Sequence, residues 1–188
     1  MKKIISIMCL GLMLAGCQQA PQEQNAVNND RQDASKKFFA QSMTLLQQKD
    51  IKGAVEDLEA AMKADPSDPN AYLALGQILL KSEQYAHAVE FLDQTAKTFP
   101  NNGTVFYMLS IANKMAGNRL PAVLAARRSY EIFNAASDTA AAQTSAILLE
   151  QLIKEAQAEE SSTVLKQDKG QAAASSGQAD KAGAAVKK

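Results

Sequence analysis

Few residues of this chain have side chains that could carry out chemistry. The 188-residue sequence contains two cysteines and one histidine, His87, which has no partner residue at metal-ligand spacing. It has no HExxH motif and no glycine-rich phosphate loop, and acidic pairs such as Glu56-Asp57 are typical of solvated helix faces. Catalysis needs several titratable groups that converge on a pocket. The sequence therefore predicts a protein that is not an enzyme and that needs no metal or other cofactor.

Cys17 ends a segment with the composition of a targeting sequence. Two lysines at the start are followed by an apolar run over residues 4–15, which is too short to span a hydrocarbon core of about 30 Å comfortably. The run closes with Leu14-Ala15-Gly16-Cys17, which resembles the lipobox of bacterial lipoproteins. The resemblance implies removal of residues 1–16 as a signal peptide and acylation of Cys17 on its thiol and amine. The alternatives are an ordinary signal peptide with a chance cysteine, or a simple membrane anchor.

The residue after Cys17 gives an expectation about the membrane. Gln18 stands where lipoproteins of many diderm bacteria carry Asp if they are retained at the inner membrane. The resemblance implies a lipid anchor in the outer membrane, on its periplasmic face, or in the cell membrane if the source has no outer membrane. Because the full chain has equal numbers of acidic and basic residues, loss of two lysines leaves the mature chain slightly acidic, and no nucleic-acid partner is expected.

Two terminal segments have compositions that are typical of disorder. Residues 18–34 are rich in Gln and Asn and hold one large apolar residue, Val27, so they cannot bury enough surface to become ordered. With Cys17 they form a predicted flexible tether over residues 17–34. Residues 161–188 are rich in Ala, Gly, Ser, Gln and Lys. They are predicted to be a disordered tail, which is more simply solvated than bound to anionic lipid or cell wall.

The chain between these segments shows pairs of amphipathic helices. In residues 69–102 the apolar residues recur at helical spacing, stop at a polar turn over 81–84, and resume until Pro100. Asp68 before Pro69 predicts a helix N-cap. The 34-residue period is that of the tetratricopeptide unit. The residues that resemble its pattern are Tyr72, Leu75, Gly76, Leu79, Tyr85, Ala88, Leu92 and Pro100.

The same pattern continues in both directions without an insertion, with departures at Gln41, Thr95, Asn113 and Asn134. An apolar stripe at helical spacing then predicts one more helix, capped by Ser137-Asp138, that covers the end of the array. The resemblance implies an all-α fold. It would be a right-handed superhelical array of three helix-turn-helix repeats, at 35–68, 69–102 and 103–136, with a capping helix at 137–160.

The resemblance also implies a concave surface, lined by the first helix of each pair, that binds a protein. The residues there form an apolar groove with a polar edge, which suits an amphipathic or apolar partner segment. Phe39 and Met43 stand where chaperone-binding members place Lys and Asn to clamp a carboxylate, so that clamp is not expected. Neighbouring helices, or the chain's own cap or tail, are the alternative occupants. The predicted groove residues are Phe39, Met43, Leu46, Leu73, Gln77, Leu80, Tyr107, Ile111 and Lys114.

These features predict a membrane-anchored adaptor that binds a protein partner and assembles or stabilises a complex of the cell envelope. The layout resembles pilotin and pilus-biogenesis lipoproteins, which deliver or stabilise an outer-membrane secretin. One alternative is a structural lipoprotein that self-associates, for example as a homodimer through the groove. Another is a regulator of a cell-wall or outer-membrane assembly enzyme.

Overall fold

A computed structural model of the protein describes residues 20–158, with side chains described from residue 28 onward. Within this part every regular element is a helix, which confirms the predicted all-α fold of repeated helix pairs. The predicted signal peptide (residues 1–16), Cys17 and the predicted tail at 161–188 lie outside the described residues. The helices are α1 (Ala20–Gln47), α2 (Ile51–Ala64), α3 (Pro69–Lys81), α4 (Tyr85–Thr98), α5 (Gly103–Met115), α6 (Arg119–Ala135) and α7 (139–158).

The chain divides into two compact units, of which the first runs to Leu75 and the second begins at Gly76. In the first unit α1 and α2 form a helix pair. Small residues on α1, Ser35 and Ser42, are buried in this unit, as are three residues of α2. Asp50 caps α2 by accepting a hydrogen bond from the backbone N–H of Gly53, at 3.0 Å. The buried residues of α2 are Ala54, Leu58 and Ala61.

The prediction of a flexible tether over residues 17–34 is corrected for residues 20–34, because α1 begins at Ala20. The residues at 28–33 are all exposed, so no buried contact holds them in place. The physical reason lies in helix cooperativity. Once the packed part of α1 has nucleated the helix, each further residue adds one backbone hydrogen bond at little cost. The segment between Glu23 and Gln47 contains no Gly or Pro that would stop this propagation.

The second unit is built around buried residues of α4, α5 and α6. Leu92 and Val105 are completely buried there, and Gly76 allows a close approach. A Cβ atom added to Gly76 would lie 2.8 Å from the Leu92 Cδ2 atom and 3.2 Å from the Met108 Cε atom. Gly76 therefore serves as the small residue at a helix crossing, as its place in the repeat predicts.

Helix α7 packs on α6 at the end of the second unit. Leu152 is buried against Ala122 and Ala126, with Leu148 and Leu149 beside them. The Asp138 side chain accepts a hydrogen bond from the Ala141 N–H, at 3.1 Å, which supplies an N-cap.

Residues that depart from the repeat pattern satisfy their polar groups locally. Thr95 is buried, and its hydroxyl donates to the Phe91 carbonyl at 2.8 Å. Asn113, also buried, donates to the Leu109 carbonyl at 3.0 Å and accepts from the Asn118 side chain at 3.2 Å. These bonds explain how polar residues occupy positions where small or large apolar ones are usual.

The turn inside each helix pair has the same backbone geometry at the same repeat position. Lys49, Glu83 and Gly117 lie 34 residues apart and have φ angles of 63°, 58° and 82°. In each turn, the residue after the one with positive φ donates its N–H to the carbonyl of the residue five positions before it, as in a Schellman motif. Ser137, with a φ of 59°, repeats this geometry between α6 and α7. The first helix of each pair therefore ends in the same left-handed turn, with or without glycine.

Candidate protein-binding surface

Three of the predicted groove residues form one face of α1. Phe39, Met43 and Leu46 follow one another at intervals of four and three residues, and all three are half-buried. Ser42, beside this face, is buried, and its hydroxyl donates to the Phe39 carbonyl at 2.7 Å. We call Phe39, Met43 and Leu46 the α1 surface. Leu73 on α3, in the same unit, is also half-buried.

The second unit presents a matching set on α5. Tyr107 and Ile111 are half-buried, whereas Val105, Leu109 and Ala112 on the other side of α5 are buried. Ser110 repeats the bond made by Ser42, since its hydroxyl donates to the Tyr107 carbonyl at 2.7 Å.

On α3, Leu80 lies one turn after Gly76 and is half-buried, whereas Gln77 is exposed. Because Gly76 approaches Met108 of α5, this part of α3 lies against α5. We call Tyr107, Ile111, Leu80 and Gln77 the α5 surface. Its apolar side chains are neither fully buried nor fully solvated.

Lys114, the last predicted groove residue, is held by α7. Its ammonium nitrogen lies 2.9 Å from the Glu155 Oε1 atom. The pKa of Glu155 is lowered from its ordinary value, chiefly by the hydrogen bond from Lys114, with the Gln151 side chain and the charge of Arg119 contributing. Lys114 is therefore an intramolecular ion-pair partner, and its place on the edge of the groove stays a prediction. Part of the chain's own cap occupies this place.

The ion pair lies at the mouth of a cleft between the α5–α6 turn and the last turns of α7. The cleft has a volume of about 390 Å³, and its lining mixes charged and apolar groups. Glu155 was not expected there from the sequence, because its distance from Lys114 in the chain is 41 residues. The contact depends on the position at which α7 starts, and no short motif specifies that position. The lining residues are Lys114, Gly117, Arg119, Leu152, Glu155 and Ala158.

The described residues offer little chemistry beyond binding. His87 is exposed on α4. Within residues 20–158 no group of three or more His, Cys, Asp or Glu side chains could hold a metal ion. Over the same residues, no helix combines the length and the apolar character needed to cross a membrane. What the first helices present is half-buried apolar surface.

The fold and the repeated half-buried faces define a tetratricopeptide-type array of helix pairs. Consistent with this class, residues 45–110, from the end of α1 into α5, match the family model described as tetratricopeptide repeat. No curated protein sequence matches the chain significantly.

Solved structures of the same fold come from bacteria and eukaryotes. The type III secretion translocator chaperone SycD of Yersinia enterocolitica has a TM-score of 0.58 at 15% identity, covering 65% of this chain and 94% of SycD. PcrH of Pseudomonas aeruginosa, solved alone, has a TM-score of 0.59 at 17% identity, covering 64% and 92%. The TPR2AB domain of yeast Sti1, in a complex with pHSP90, has a TM-score of 0.59 at 13% identity, covering 69% and 51%. At these identities the likeness concerns the fold.

Proposed function

We propose that the protein is a lipid-anchored adaptor that binds an apolar or amphipathic segment of a cell-envelope protein through the first helices of its repeats. The observation that carries the proposal is the pair of half-buried apolar faces, the α1 surface and the α5 surface, at equivalent repeat positions. A helix lined by such residues binds a partner by taking its apolar anchors between them.

Proteins of the same fold support binding rather than catalysis. PcrH has been solved in complex with the chaperone-binding region of PopD, and the Sti1 domain in complex with pHSP90. Phe39 and Met43 are apolar here, so the proposed partner is recognised by apolar side chains and not by a terminal carboxylate.

The membrane part of the proposal comes from the sequence. Acylation at Cys17 would hold the repeats at the outer membrane, facing the periplasm, where an adaptor could assemble or stabilise an envelope complex such as a pilus or secretion machine. Two or more acyl chains give stable anchoring, whereas one gives only marginal binding.

The decisive experiment compares substitutions on the α1 and α5 surfaces with a substitution in the buried core. A photoreactive amino acid at Tyr107 should crosslink one envelope protein in cells, and the same group at exposed His87 should not. Tyr107→Ala and Phe39→Ala should weaken capture of that partner tenfold or more, since truncating an aromatic anchor typically costs about 2 kcal/mol.

Two further variants act as controls for these substitutions. Lys81→Ala, at an exposed charge, should change capture little. Leu92→Ala should lower stability and capture together, because Leu92 is fully buried. If Phe39→Ala and Tyr107→Ala lower the melting temperature as much as Leu92→Ala does, the two surfaces are core and the proposal is wrong.

A further inference from the structure

The outer face of α6 carries apolar residues that belong to neither the α1 surface nor the α5 surface. Leu120 and Leu124 lie one turn apart and are 68% and 53% exposed. They point away from Ala122 and Ala126, which pack against α7. Neither leucine is needed to fill the core. Two large apolar side chains displayed together on one helix indicate a contact with something outside the described chain.

A cation, Arg127, follows these leucines along α6. Arg127 follows Leu124 on the same helix face, is exposed, and makes no ion pair within the described residues. We call Leu120, Leu124 and Arg127 the α6 stripe.

Acidic groups near α6 are already engaged with other cations. Glu131, the next residue on the face, lies 3.6 Å from Arg128. On the neighbouring helix α7, Glu155 is bonded to Lys114. The α6 stripe is therefore an apolar strip that ends in an uncompensated guanidinium group.

We propose that the α6 stripe contacts a lipid surface that carries anionic head groups. Exposed leucines beside arginine are the combination that binds the interface of an anionic bilayer, through apolar insertion and charge attraction. A stable protein–protein contact buries on the order of 800 Å² on each partner, and the α6 stripe is far smaller. A weak contact suffices for a molecule that is already tethered to the membrane, because the tether raises the effective concentration.

This inference rests on the lipid anchoring contained in the proposed function, and it can be tested separately because the chain contains no tryptophan. Leu124→Trp places a single indole on the α6 stripe. Ile147→Trp is the matched control, since Ile147 on α7 is 61% exposed and is also a large apolar residue. Both variants are made in the mature, lipidated full chain. They are reconstituted on vesicles of phosphatidylcholine alone, or of phosphatidylcholine with about one third phosphatidylglycerol.

The readouts are vesicle flotation, the tryptophan emission maximum, and quenching by brominated lipid. On anionic vesicles Leu124→Trp should shift to the blue and be quenched, whereas Ile147→Trp should stay water-exposed. Adding Arg127→Ala to Leu124→Trp should reduce the population in contact about fivefold, the effect of one basic residue near such a surface.

Other outcomes overturn the inference. Equal quenching of the two indoles, or equal quenching on neutral and anionic vesicles, would show proximity without recognition by the α6 stripe. A blue shift of Leu124→Trp without lipid quenching would assign the face to a second copy of the chain. If both variants float with vesicles but Leu124→Trp stays in water, anchoring stands and this inference fails. If neither floats, the anchoring fails and the inference fails with it.

Discussion

The helix pairs α1–α2 and α5–α6 differ in where they carry a buried serine. In the first pair Ser35 lies on the first helix, and in the other Ser129 lies on the second helix. Ser35 and Gly103 are the first residues of repeats one and three, and Ala61 and Ser129 occupy the twenty-seventh position of those repeats. In the third repeat the Ser129 hydroxyl donates to the Gly103 carbonyl at 2.9 Å and lies 2.9 Å from the Ser145 hydroxyl. In the first, the Ser35 hydroxyl is buried and has no hydrogen-bond partner.

A second difference explains why glycine is needed in one pair only. A Cβ atom on Gly103 would meet the ring of Phe133 at 2.8 Å. The residue at the position of Phe133 in the first pair is Asp65, whose carboxylate accepts hydrogen bonds from the N–H and hydroxyl of Ser67 instead. The comparison teaches that a buried hydroxyl stabilises or destabilises the fold according to the acceptor within its reach.

The largest effect is expected from substitutions of the two serines. Ser129→Ala should lower the free energy of unfolding by about 1–3 kcal/mol, because it leaves the Gly103 carbonyl and the Ser145 hydroxyl without their partner. Ser35→Ala should raise it, since the substitution removes an unsatisfied buried hydroxyl. Urea unfolding of both variants gives the two values. Equal destabilisation by both substitutions would contradict the comparison.

A smaller effect is expected at the turns. Gly117→Ala should cost about 1 kcal/mol, because Gly117 has a φ of 82° and no other group within 4 Å of the added carbon, so backbone strain is the main effect. Lys49→Gly, at the equivalent turn of the first pair, should relieve strain and gain up to about 1 kcal/mol. Thermal melting monitored by circular dichroism measures both changes. A gain from Gly117→Ala would show that the turn does not keep its left-handed form.

The smallest effect concerns pH. Because the pKa of Glu155 is lowered in the folded protein from its ordinary value of 4.5, mainly by the hydrogen bond from Lys114, ionised Glu155 favours folding. This contribution is complete above the ordinary value and is lost as the pH falls through the lower, folded-state pKa. The Glu155→Gln variant should show a weaker loss of α7 stability below pH 4.5 than the wild type does. Hydrogen exchange of the α7 amides, followed against pH, measures it. Parallel profiles for the two proteins would exclude a role for this ion pair.

The sequence predicted the helices well because their apolar residues recur with one period. Pro69, Gly76 and Pro100 lie at or near helix starts, crossings and ends, and each has a local physical effect. The faces of α1 and α5 follow from the same period. Contacts between distant residues could not be predicted in this way. The pair Lys114–Glu155 and the hydrogen bond between the Ser129 and Ser145 hydroxyls depend on where α7 begins. The composition of residues 20–34 did not indicate that α1 would extend through them.

The repeated left-handed turn has a consequence for how such chains diverge. Lys49 and Glu83 hold the conformation that Gly117 holds at the same repeat position, so packing of the flanking helices imposes the turn even where glycine is absent. Residues that look diagnostic of the repeat can then be replaced one at a time while the backbone stays in place. The fold itself is shared with solved structures at identities of 13–17%. Within this array, the geometry of the turn persists where the residue that forms it changes.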